Sequence, residues 1–377
     1  MRFLISAGEA SGELYGAGLI EALRRRVPGA QFFGVGGQRM RDAGFDTVID
    51  AHEIAVVGLA EVVSHLPRIY GEFKRLVREA EARKPDAAIL IDFPDFNLRL
   101  ARKLHQLGIP VIYYVSPQIW AWRQGRVEQI RRYVKKVLVI FPFEAGFYAR
   151  HNVSAEYVGH PLADEALPAI AREQFATENG LNPTKTWIAL LPGSRRKEVA
   201  LNLPRMLETA GILGYHYDFA LPVASSLSAD WVRSLTAASK VPINLTHDAR
   251  SSLMHARAAI VASGTATVEA ALIGTPFVMI YRLAASTWVL GRKLVKLDRF
   301  AMPNLIAGRD VVREFVQSGF QPQAVAAEVR RLIDDGPERQ AILAGLAEVR
   351  SRLRPPGKET AAERAADAVL RIVEKSR

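Results

Sequence analysis

The stretch VASGTATVEAALIGTPFVMIY (261–281) contains an apolar strand, a turn, a helix and a second apolar strand in succession. Ser263, Gly264 and Thr265 form a turn of small residues after the first strand. The pattern predicts a helix from Thr265 to Ile273, which Gly274 ends. Two strands rich in Val and Ile, joined by a helix, are typical of a parallel sheet covered on both faces.

The same alternation of short apolar runs and helical patterns extends over both halves of the chain. Segments with apolar spacing of about 3.6 residues, such as GLIEALRRRV (18–27), separate the runs. We predict an α/β protein with two doubly wound, Rossmann-like domains that face each other across a cleft. The predicted strands are RFLIS (2–6), AQFFGV (30–35), DAAILI (86–91), PVIYYV (110–115), KVLVIF (136–141), TWIALL (186–191), YDFAL (217–221), AAIVAS (258–263) and PFVMIY (276–281).

The length of the chain also indicates two domains, because 377 residues exceed what one hydrophobic core usually serves. The segment GHPLADEALPAI (159–170) carries a glycine, two prolines and no clear period, which is typical of a linker. We therefore expect one domain at 1–165 and a second at 166–357. The tail at 358–377 has a helical pattern.

The composition excludes several classes of protein. The chain has no cysteine, which excludes disulfides, thiolate metal sites and a cysteine nucleophile and suits a reducing cytoplasm. Its formal net charge of +11 favours binding to polyanions, anionic lipid or phosphorylated substrates, but the charge alone does not distinguish these partners. No stretch reaches about 18 uninterrupted apolar residues, so we expect no membrane span.

A glycine-rich turn follows the first predicted strand, in SAGEASGELYGAGL (6–19). The spacing of Gly8, Gly12 and Gly16 matches neither the dinucleotide fingerprint nor a P-loop. Open α/β sheets nevertheless bind ligands at the carboxyl ends of their strands. Gly8, Glu9, Ser11 and Gly12 are therefore candidates for a substrate contact. The alternative is a plain turn whose small residues allow close packing.

A second turn of this kind is LLPGSRRKEV (190–199), which follows a strand and opens a helix. Gly193 and Ser194 suit a phosphate cradle, and Arg195 can pair bidentately with phosphate oxygens. Basic residues oppose the dipole at a helix N-terminus unless an anion lies nearby. The alternative for the two basic residues after Arg195 is a solvated first turn.

Glu269 lies one turn into the helix predicted from Thr265 to Ile273. A carboxylate there can accept two hydrogen bonds from vicinal hydroxyls such as those of a ribose. The alternative is a capping box, but Ala266 stands three residues earlier, where that motif needs Ser or Thr. Phosphate-binding turns with a ribose-type carboxylate predict an enzyme that acts on a nucleotide sugar.

Two aspartates, Asp92 and Asp95, follow the buried strand in LIDFPDFNLRL (90–100). A carboxylate at the end of a buried strand needs water, a partner or a ligand. Asp92 is best interpreted as a turn residue. Asp95 can act as a general base, or it can cap a helix that starts at Phe96. The residues alone favour the cap, because an aspartate before an apolar-periodic run is more often a cap.

Several motifs together resemble those of the lipid-A-disaccharide synthase family, inverting glycosyltransferases with the GT-B fold. The resemblance implies transfer of 2,3-diacylglucosamine from UDP to the 6-hydroxyl of 2,3-diacylglucosamine 1-phosphate. A β-1,6-linked disaccharide and UDP result. The matching motifs are SAGEASGELYGAGLI (6–20), DFPDFNLRLA (92–101), YYVSPQIWAWRQGRV (113–127), VGHPLAD (158–164), LLPGSRRKEV (190–199), SGTATVEAAL (263–272) and MPNLIAG (302–308).

The resemblance also implies roles for individual residues. It makes Asp95 the base and Asn304 a residue of the donor site. It assigns the acceptor to the first domain and the UDP-sugar to the second, and returns the tail at 358–377 to the first domain. Glu13 departs from the motif, in which aspartate is usual at this position. His160 belongs to the motif VGHPLAD, and we place it at the hinge rather than in the chemistry.

We expect neither a cofactor nor a metal. Asp92 and Asp95 could in principle hold Mg²⁺, which uses one or two carboxylates together with phosphates. We instead place the donor phosphates on Arg195 and on the amides near Gly264. Leaving-group charge can be stabilised there without a metal.

The substrates that the resemblance implies carry acyl chains, so the enzyme must contact or shield lipid. STWVLGRKLVKLDRF (286–300) resembles a helix at an anionic interface, with Trp288 and Leu290 as apolar contacts and Arg292 and Lys293 as basic ones. The alternative is core packing with a solvated basic face. We expect a cytoplasmic protein peripherally associated with the inner membrane; a homodimer is possible, although nothing in the sequence demands it.

Two other functions compete with this interpretation. The first is a different enzyme of the GT-B fold that acts on a UDP-sugar, such as a polyprenyl-linked transferase or a non-hydrolysing epimerase. The second is a basic protein that binds nucleic acid. The sequence contains no motif that reads DNA or RNA, so we predict no nucleic-acid partner.

Overall fold

The computed structural model describes the backbone of residues 1–8, 10–54, 59–122, 124–283 and 298–376, and their side chains except at 10, 54, 59–66, 122 and 376. The chain forms two compact units, Met1–Asp164 with Leu353–Arg377, and Glu165–Arg352. The first unit is thus built from two segments, and the second is a single segment between them. The chain leaves the first unit between Asp164 and Glu165 and returns to it between Arg352 and Leu353.

The first unit contains a sheet of seven strands: β1 (Arg2–Ala7), β2 (Gln31–Gly36), β3 (Asp46–Asp50), β4 (Ala87–Ile91), β5 (Val111–Tyr114), β6 (Lys136–Val139) and β7 (Ala155–Tyr157). Their order is β3-β2-β1-β4-β5-β6-β7, and all neighbours are parallel. The order reverses between β1 and β4. Such a reversal opens a crevice at the carboxyl ends of the two strands.

The second unit repeats this plan with six strands: β8 (Thr186–Leu191), β9 (Tyr217–Pro222), β10 (Ile243–Thr246), β11 (Ala258–Ala262), β12 (Phe277–Tyr281) and β13 (Glu314–Val316). The order is β10-β9-β8-β11-β12-β13, again parallel throughout. Here the order reverses between β8 and β11. The two sheets confirm the predicted α/β class with two Rossmann-like domains.

Helices connect successive strands in both units. The helix from Thr265 to Ile273 is present as predicted, and Gly274 ends it in the left-handed conformation at φ +90°. The helices are α1 (Ala10–Arg26), α2 (Gln38–Asp42), α3 (Ala51–Ile54), α4 (Leu59–Arg83), α5 (Pro94–Gln106), α6 (Ile119–Trp122), α7 (Val127–Tyr133), α8 (Pro142–Arg150), α9 (Arg172–Asn179), α10 (Arg196–Leu213), α11 (Ala229–Thr236), α12 (Ala249–His255), α13 (Thr265–Ile273), α14 (Met302–Ala307), α15 (Pro322–Ile333), α16 (Pro337–Leu353) and α17 (Ala361–Ser376).

The last helix, α17, packs along α1 and so belongs to the first unit. Arg26 Nη2 on α1 donates to Asp367 Oδ2 on α17 at 2.9 Å. Arg25 and Glu363 form a second, more exposed ion pair at 3.5 Å. Buried alanines and valines of α17 provide the apolar part of this contact. The C-terminal segment therefore covers a face of α1 with both apolar and charged contacts.

Every strand predicted from the sequence is present, and these are the interior strands of the two sheets. Among the described residues, the sequence prediction missed the four edge strands, which are β3, β7, β10 and β13. Interior strands such as β4 are buried at every position and appear in the sequence as continuous apolar runs. Edge strands are short and partly exposed, so they lack that signal.

Candidate active site

The crevice of the first sheet brings two loops together. Ala7 at the end of β1 lies beside Ile91 at the end of β4 in the parallel register. The loop after β1 begins with Gly8, and a Cβ atom placed there would lie 2.5 Å from the ring of Phe93 in the loop after β4. Only glycine therefore allows the two loops this close approach.

Asn97 joins these two loops below the crevice. Its side chain is fully buried, and Nδ2 donates to the carbonyl oxygens of Ser6, Ile91 and Asp92 at 3.3, 3.2 and 2.8 Å. Ser6 Oγ donates to Asn97 Oδ1 at 2.7 Å. The hydroxyl of Tyr113 on β5 also donates to the carbonyl of Asp92, at 2.6 Å. Buried polar side chains thus determine where the turn after β4 lies.

The backbone at this end of the sheet is strained. Asp92, Phe93 and Val115 adopt the left-handed conformation, with φ of +44°, +49° and +57°. The strain is greatest for Val115, because a β-branched residue clashes with its own backbone in this region. The amide of Asp92 donates to the carbonyl of Val115 at 3.2 Å and so links the two strained turns. Such strain, at about 1–3 kcal/mol per residue, is typical of functional sites.

Asp95 stands in the first turn of α5, at the edge of this crevice. The helix begins at Pro94, and its N-cap residue, Phe93, makes no capping hydrogen bond through its side chain. The alternative that Asp95 caps a helix beginning at Phe96 is therefore wrong. The side chain of Asp95 is 73% exposed, and Oδ1 accepts a hydrogen bond from Arg126 Nη2. A carboxylate is thus presented to solvent at the strand-order reversal.

The glycine-rich turn after β1 serves packing. Cβ atoms at Gly12 and Gly16 would lie 3.5 Å from Ile91 and 2.9 Å from Met40, so small residues let α1 approach the sheet. This observation supports the alternative of close packing for the glycine frame. Ser11 is half-buried at the start of α1. Glu9 lies outside the described residues.

Glu13, the departure from the family motif, has a structural role. Its Oε1 accepts a hydrogen bond from the amide of Arg39 at 2.7 Å, at the start of α2. A Cβ atom at Gly37 would lie 2.6 Å from the same carboxylate. The longer side chain of glutamate thus connects α1 to the turn after β2.

The crevice of the second sheet holds the other predicted turns. Leu191 on β8 pairs in register with Val261 on β11, so the loops that follow these strands start side by side. The first of these loops carries Gly193, Ser194 and Arg195 and opens α10, and the second carries Ser263, Gly264 and Thr265 and opens α13. Two helix N-termini, both favourable to an anion, therefore lie at adjacent strand ends.

The loop after β8 is open to solvent at its charged end. Gly193 adopts φ +122° and Ser194 is exposed, with its carbonyl accepting from Ser226 Oγ at 2.8 Å. The side chain of Arg195 is 67% exposed and pairs with Glu198 at 3.6 Å. The guanidinium of Arg195 is thus mainly exposed to solvent at the N-terminus of α10.

The loop after β11 is connected to the segment that follows the undescribed residues 284–297. Ser263 Oγ donates to the carbonyl of Phe300 at 3.0 Å. The carboxylate of Glu314 on β13 accepts from the amides of Phe300 and Ala301 at 2.9 Å each. Gly264 adopts φ +140°, and no described residue lies within 4 Å of the place where a Cβ atom would stand. This loop is thus held by the segment at Phe300, and it carries no side chain at Gly264.

Asn304 takes part in this support through both ends of its amide. Nδ2 donates to Val312 O at 2.9 Å and to Glu314 Oε1 at 2.8 Å. Oδ1 accepts from the amides of Val311 and Val312 at 2.8 and 2.9 Å. The side chain is 1% exposed. The structure thus gives Asn304 a structural role, and a donor contact through this side chain stays a prediction.

Glu269 is half-buried on α13, one turn beyond Thr265. Burial raises the pKa of its carboxyl, Arg250 lowers it in part, and Asp248 raises it further. Asp248 and Arg250 also line a cavity of about 370 Å³ within the second unit, beside His247 and Phe175. A partly desolvated carboxylate is suited to accept hydrogen bonds from hydroxyl groups.

Two further titratable side chains are buried in the first unit. Burial lowers the pKa of His160 to about 3, so this residue is neutral and unsuited to be a base at neutral pH. Its Nδ1 accepts from the amide of Leu162 at 3.2 Å, and its own amide donates to Leu353 O at 2.9 Å, where the chain returns to the first unit. Burial raises the pKa of Glu144 to about 8.

The predicted membrane residues Trp288, Leu290, Arg292 and Lys293 lie outside the described residues. Within the described ranges, no helix is both long enough and apolar enough to cross a membrane. No group of three or more His, Asp or Glu side chains in the described part of the chain is placed to hold a metal ion.

The two sheets, with their candidate residues at both strand-order reversals, define the fold class of the GT-B glycosyltransferases. MurG of Acinetobacter baumannii has this fold, with a TM-score of 0.57, 16% identity and 99% coverage of each chain. The UDP-GlcNAc 2-epimerase of Neisseria meningitidis, solved with UDP-GlcNAc, gives a TM-score of 0.65 at 12% identity, with 100% coverage of each chain. Identities this low indicate the fold alone.

Closer relatives identify the family. A family model described as lipid-A-disaccharide synthetase matches residues 3–369, and the chain belongs to this family. The lipid-A-disaccharide synthase of Koribacter versatilis is 58% identical over 100% of this chain and 99% of that protein. The one from Acidobacterium capsulatum is 50% identical over 94% and 92%. These relatives do not favour the alternative of another UDP-sugar enzyme.

The sequence motifs contained two site residues that we did not single out. Arg126, which pairs with Asp95, lies in the basic segment RQGRVEQIRRYVKK (123–136). Asn97 ends the motif DFPDFN (92–97). The excess of basic residues in that segment was the signal for Arg126. The signal for Asn97 was a polar residue at a helix position that the apolar pattern places in the core.

Proposed function

We propose that this protein is a hexosyltransferase that moves 2,3-diacylglucosamine from UDP to the 6-hydroxyl of 2,3-diacylglucosamine 1-phosphate, with inversion. The products are the β-1,6-linked lipid A disaccharide 1-phosphate and UDP. Membership of the lipid-A-disaccharide synthetase family supports this reaction. The observation that carries the mechanism is the exposed carboxylate of Asp95 at the strand-order reversal of the first sheet.

In this mechanism Asp95 acts as the general base. Its carboxylate takes the proton of the 6-hydroxyl while that oxygen forms a bond to the anomeric carbon of the donor. The bond between the anomeric carbon and the diphosphate oxygen breaks on the opposite side, and its electron pair leaves with UDP. Asn97 and Tyr113 hold the carbonyl of Asp92, in the turn that leads into the helix carrying Asp95.

The second unit binds the donor in this proposal. The diphosphate lies at the N-termini of α10 and α13, near Gly193, Ser194 and Gly264. Arg195 pairs with a phosphate oxygen, and Glu269 accepts hydrogen bonds from the ribose. Helix amides and a guanidinium stabilise the charge that develops on UDP, so the reaction needs neither a metal nor a cofactor.

Because both substrates carry acyl chains, the protein contacts an anionic membrane surface peripherally in this proposal. This contact is open to a monomer and to a homodimer. The apolar and basic residues at 286–300 support this contact. In a flotation assay at low salt, the protein should float with vesicles of phosphatidylglycerol but not with vesicles of phosphatidylcholine. A smaller fraction of the double variant Arg292→Gln with Lys293→Gln should float with phosphatidylglycerol vesicles. Equal flotation of the wild type with both vesicle types would contradict the proposal.

The decisive experiment measures UDP release from the two substrates in detergent, with and without EDTA. We expect release by the wild type in EDTA, and a loss of at least about 100-fold in Asp95→Asn, the usual range for a lost general base. Glu128→Gln provides a matched control, because Glu128 is an exposed acid of the same unit that is paired with Arg131. No UDP from the wild type under either condition would overturn the proposed reaction.

A further inference from the structure

We propose that Arg126 binds the phosphate of the acceptor, and that this exchange of partners moves its guanidinium away from the carboxylate oxygen of Asp95 that it now contacts. The inference rests on the proposed function, since it requires an acceptor with a phosphate group. It assigns substrate recognition to a side chain that now contacts the base itself. The reaction would then be selective for phosphorylated acceptors.

The starting point is the ion pair between the two side chains. Arg126 Nη2 donates to Asp95 Oδ1, and the arginine side chain is 21% exposed against 73% for the aspartate. The carboxylate therefore faces solvent, while the guanidinium is held against the protein. A general base must itself be within hydrogen-bond reach of the proton that it takes. The guanidinium competes with the acceptor hydroxyl for this carboxylate.

The backbone at Arg126 is fixed by its neighbours. Arg126 ends a 3₁₀ turn, Gln124–Arg126, immediately before α7. Gln124 Nε2 donates to the carbonyl of Trp120 at 3.1 Å, and Trp120 Nε1 donates to Glu144 Oε1 at 3.1 Å in the core. The loop is thus anchored to a buried acid. Only the arginine side chain has to move for it to change partner.

The surface around Asp95 carries more positive than negative charge. Arg99 and Arg102 follow Asp95 at positions i+4 and i+7, so the three side chains share one exposed face of α5. The nearest described acid of α7, Glu128, is already bonded to Arg131. A phosphate with two negative charges is attracted to such a surface more strongly than a neutral sugar.

The chemistry of the acceptor matches this arrangement. In a hexopyranose the ring oxygen joins C1 to C5, and C6 is attached to C5, so a 1-phosphate and a 6-hydroxyl both stand at the ring-oxygen edge of the sugar. When the 6-hydroxyl reaches Asp95, the phosphate comes within the span of the adjacent arginine. Arginine binds phosphate bidentately, whereas an ion pair with an exposed partner contributes little to stability. Exchange of the carboxylate for the phosphate is therefore favourable.

The test compares two acceptors, 2,3-diacylglucosamine 1-phosphate and 2,3-diacylglucosamine, in a nonionic detergent that contains no phospholipid. The ratio of their kcat/KM values, measured by UDP release, is the phosphate preference. We expect a preference of about 10- to 100-fold in the wild type, the range for charge-assisted hydrogen bonds. Arg126→Gln should lose most of this preference, because the phosphorylated acceptor reacts more slowly while the unphosphorylated acceptor, no longer competing with the guanidinium, reacts at the same rate or faster. Arg126→Lys should be intermediate.

The controls separate this inference from the proposed function. Arg131→Gln removes one charge from α7, the helix that follows Arg126. Both Nε and Nη2 of Arg131 donate to Glu128, so this variant should keep the preference of the wild type. An Arg126→Gln variant with the full preference, or with equal losses on both acceptors, would overturn the inference. If that variant does not fold, the preference of Arg126→Lys decides. A wild type inactive with both acceptors would overturn the proposed function instead.

Discussion

The hydroxyl of Ser6 donates to Oδ1 of Asn97 across 2.7 Å, with both side chains fully buried. This bond joins the end of β1 to the helix that carries Asp95. The other end of the same amide satisfies three carbonyl oxygens, including that of Asp92. One side chain thus holds the two strands together at the point where the strand order reverses.

Replacement of Asn97 by alanine should therefore destabilise the protein more than replacement of Ser6. We expect Asn97→Ala to lower the free energy of unfolding by about 2–3 kcal/mol, because buried carbonyls lose their donor. Ser6→Ala should cost about 1 kcal/mol, since it removes one bond. Urea denaturation measures both values. Equal costs would mean that the amide does not hold the two loops.

Tyr113 and Tyr114 are neighbours on β5 whose hydroxyls differ in one respect. Tyr113 OH donates to Asp92 O, whereas Tyr114 OH is buried without a hydrogen-bond partner among the described residues. We expect Tyr113→Phe to lower the free energy of unfolding by about 1 kcal/mol, and Tyr114→Phe to leave it unchanged or raise it by a similar amount. Thermal or urea unfolding of the pair tests this, and a larger loss for Tyr114→Phe would refute it.

Glu144 should make stability fall as pH rises. Burial raises the pKa of its carboxyl from 4.5 to about 8, although the amide of Phe141 and the indole of Trp120 donate to it. Between these pH values the folded state keeps a proton that the unfolded state has released. The contribution of Glu144 to the free energy of unfolding therefore declines by up to about 1.4 kcal/mol per pH unit in this window.

Urea denaturation of wild type and Glu144→Gln from pH 5 to pH 8 measures this effect. The variant should gain stability relative to the wild type as pH rises, whatever its stability at pH 5. Glu128→Gln serves as the control, because Arg131 lowers the pKa of Glu128, which then titrates below this window. Parallel curves for wild type and Glu144→Gln would show that the buried carboxyl does not hold a proton.

Glu269 provides a test of the donor site. Under the proposed function, Glu269→Gln should raise the KM for the UDP-sugar by about 10- to 100-fold, since a charged acceptor of two ribose hydrogen bonds is lost. UDP should inhibit the variant correspondingly less. Asp230→Asn on α11 is a suitable control, because that side chain is 91% exposed and paired with Arg233. An unchanged KM would remove Glu269 from the donor site.

The interior of both sheets could be predicted from the sequence, but their edges could not. β4 and β11 are buried at every position, so hydrophobicity alone marks them. β7 and β10 are half-buried, and their three or four residues form no recognisable run. Their pairing depends on the neighbouring strand, which local sequence does not contain.

The candidate site was predictable where it depends on strand ends and unpredictable where it depends on contacts between elements. The sequence placed Asp95 after a buried strand, and Gly193 and Gly264 in turns that open helices. It could not place Arg126 against Asp95, because the partners are 31 positions apart on different helical segments. It also could not tell that the amide of Asn304 is used within the protein, since the same atoms serve a ligand equally well.

The division of the first unit into two segments has a consequence for synthesis. The ribosome completes residues 165–352 before it makes the segment that contains α17. The second unit can therefore fold while the face of α1 that binds Asp367 is still uncovered. The unit that carries the proposed base is finished last, so an interrupted translation leaves a complete second unit and an incomplete first unit.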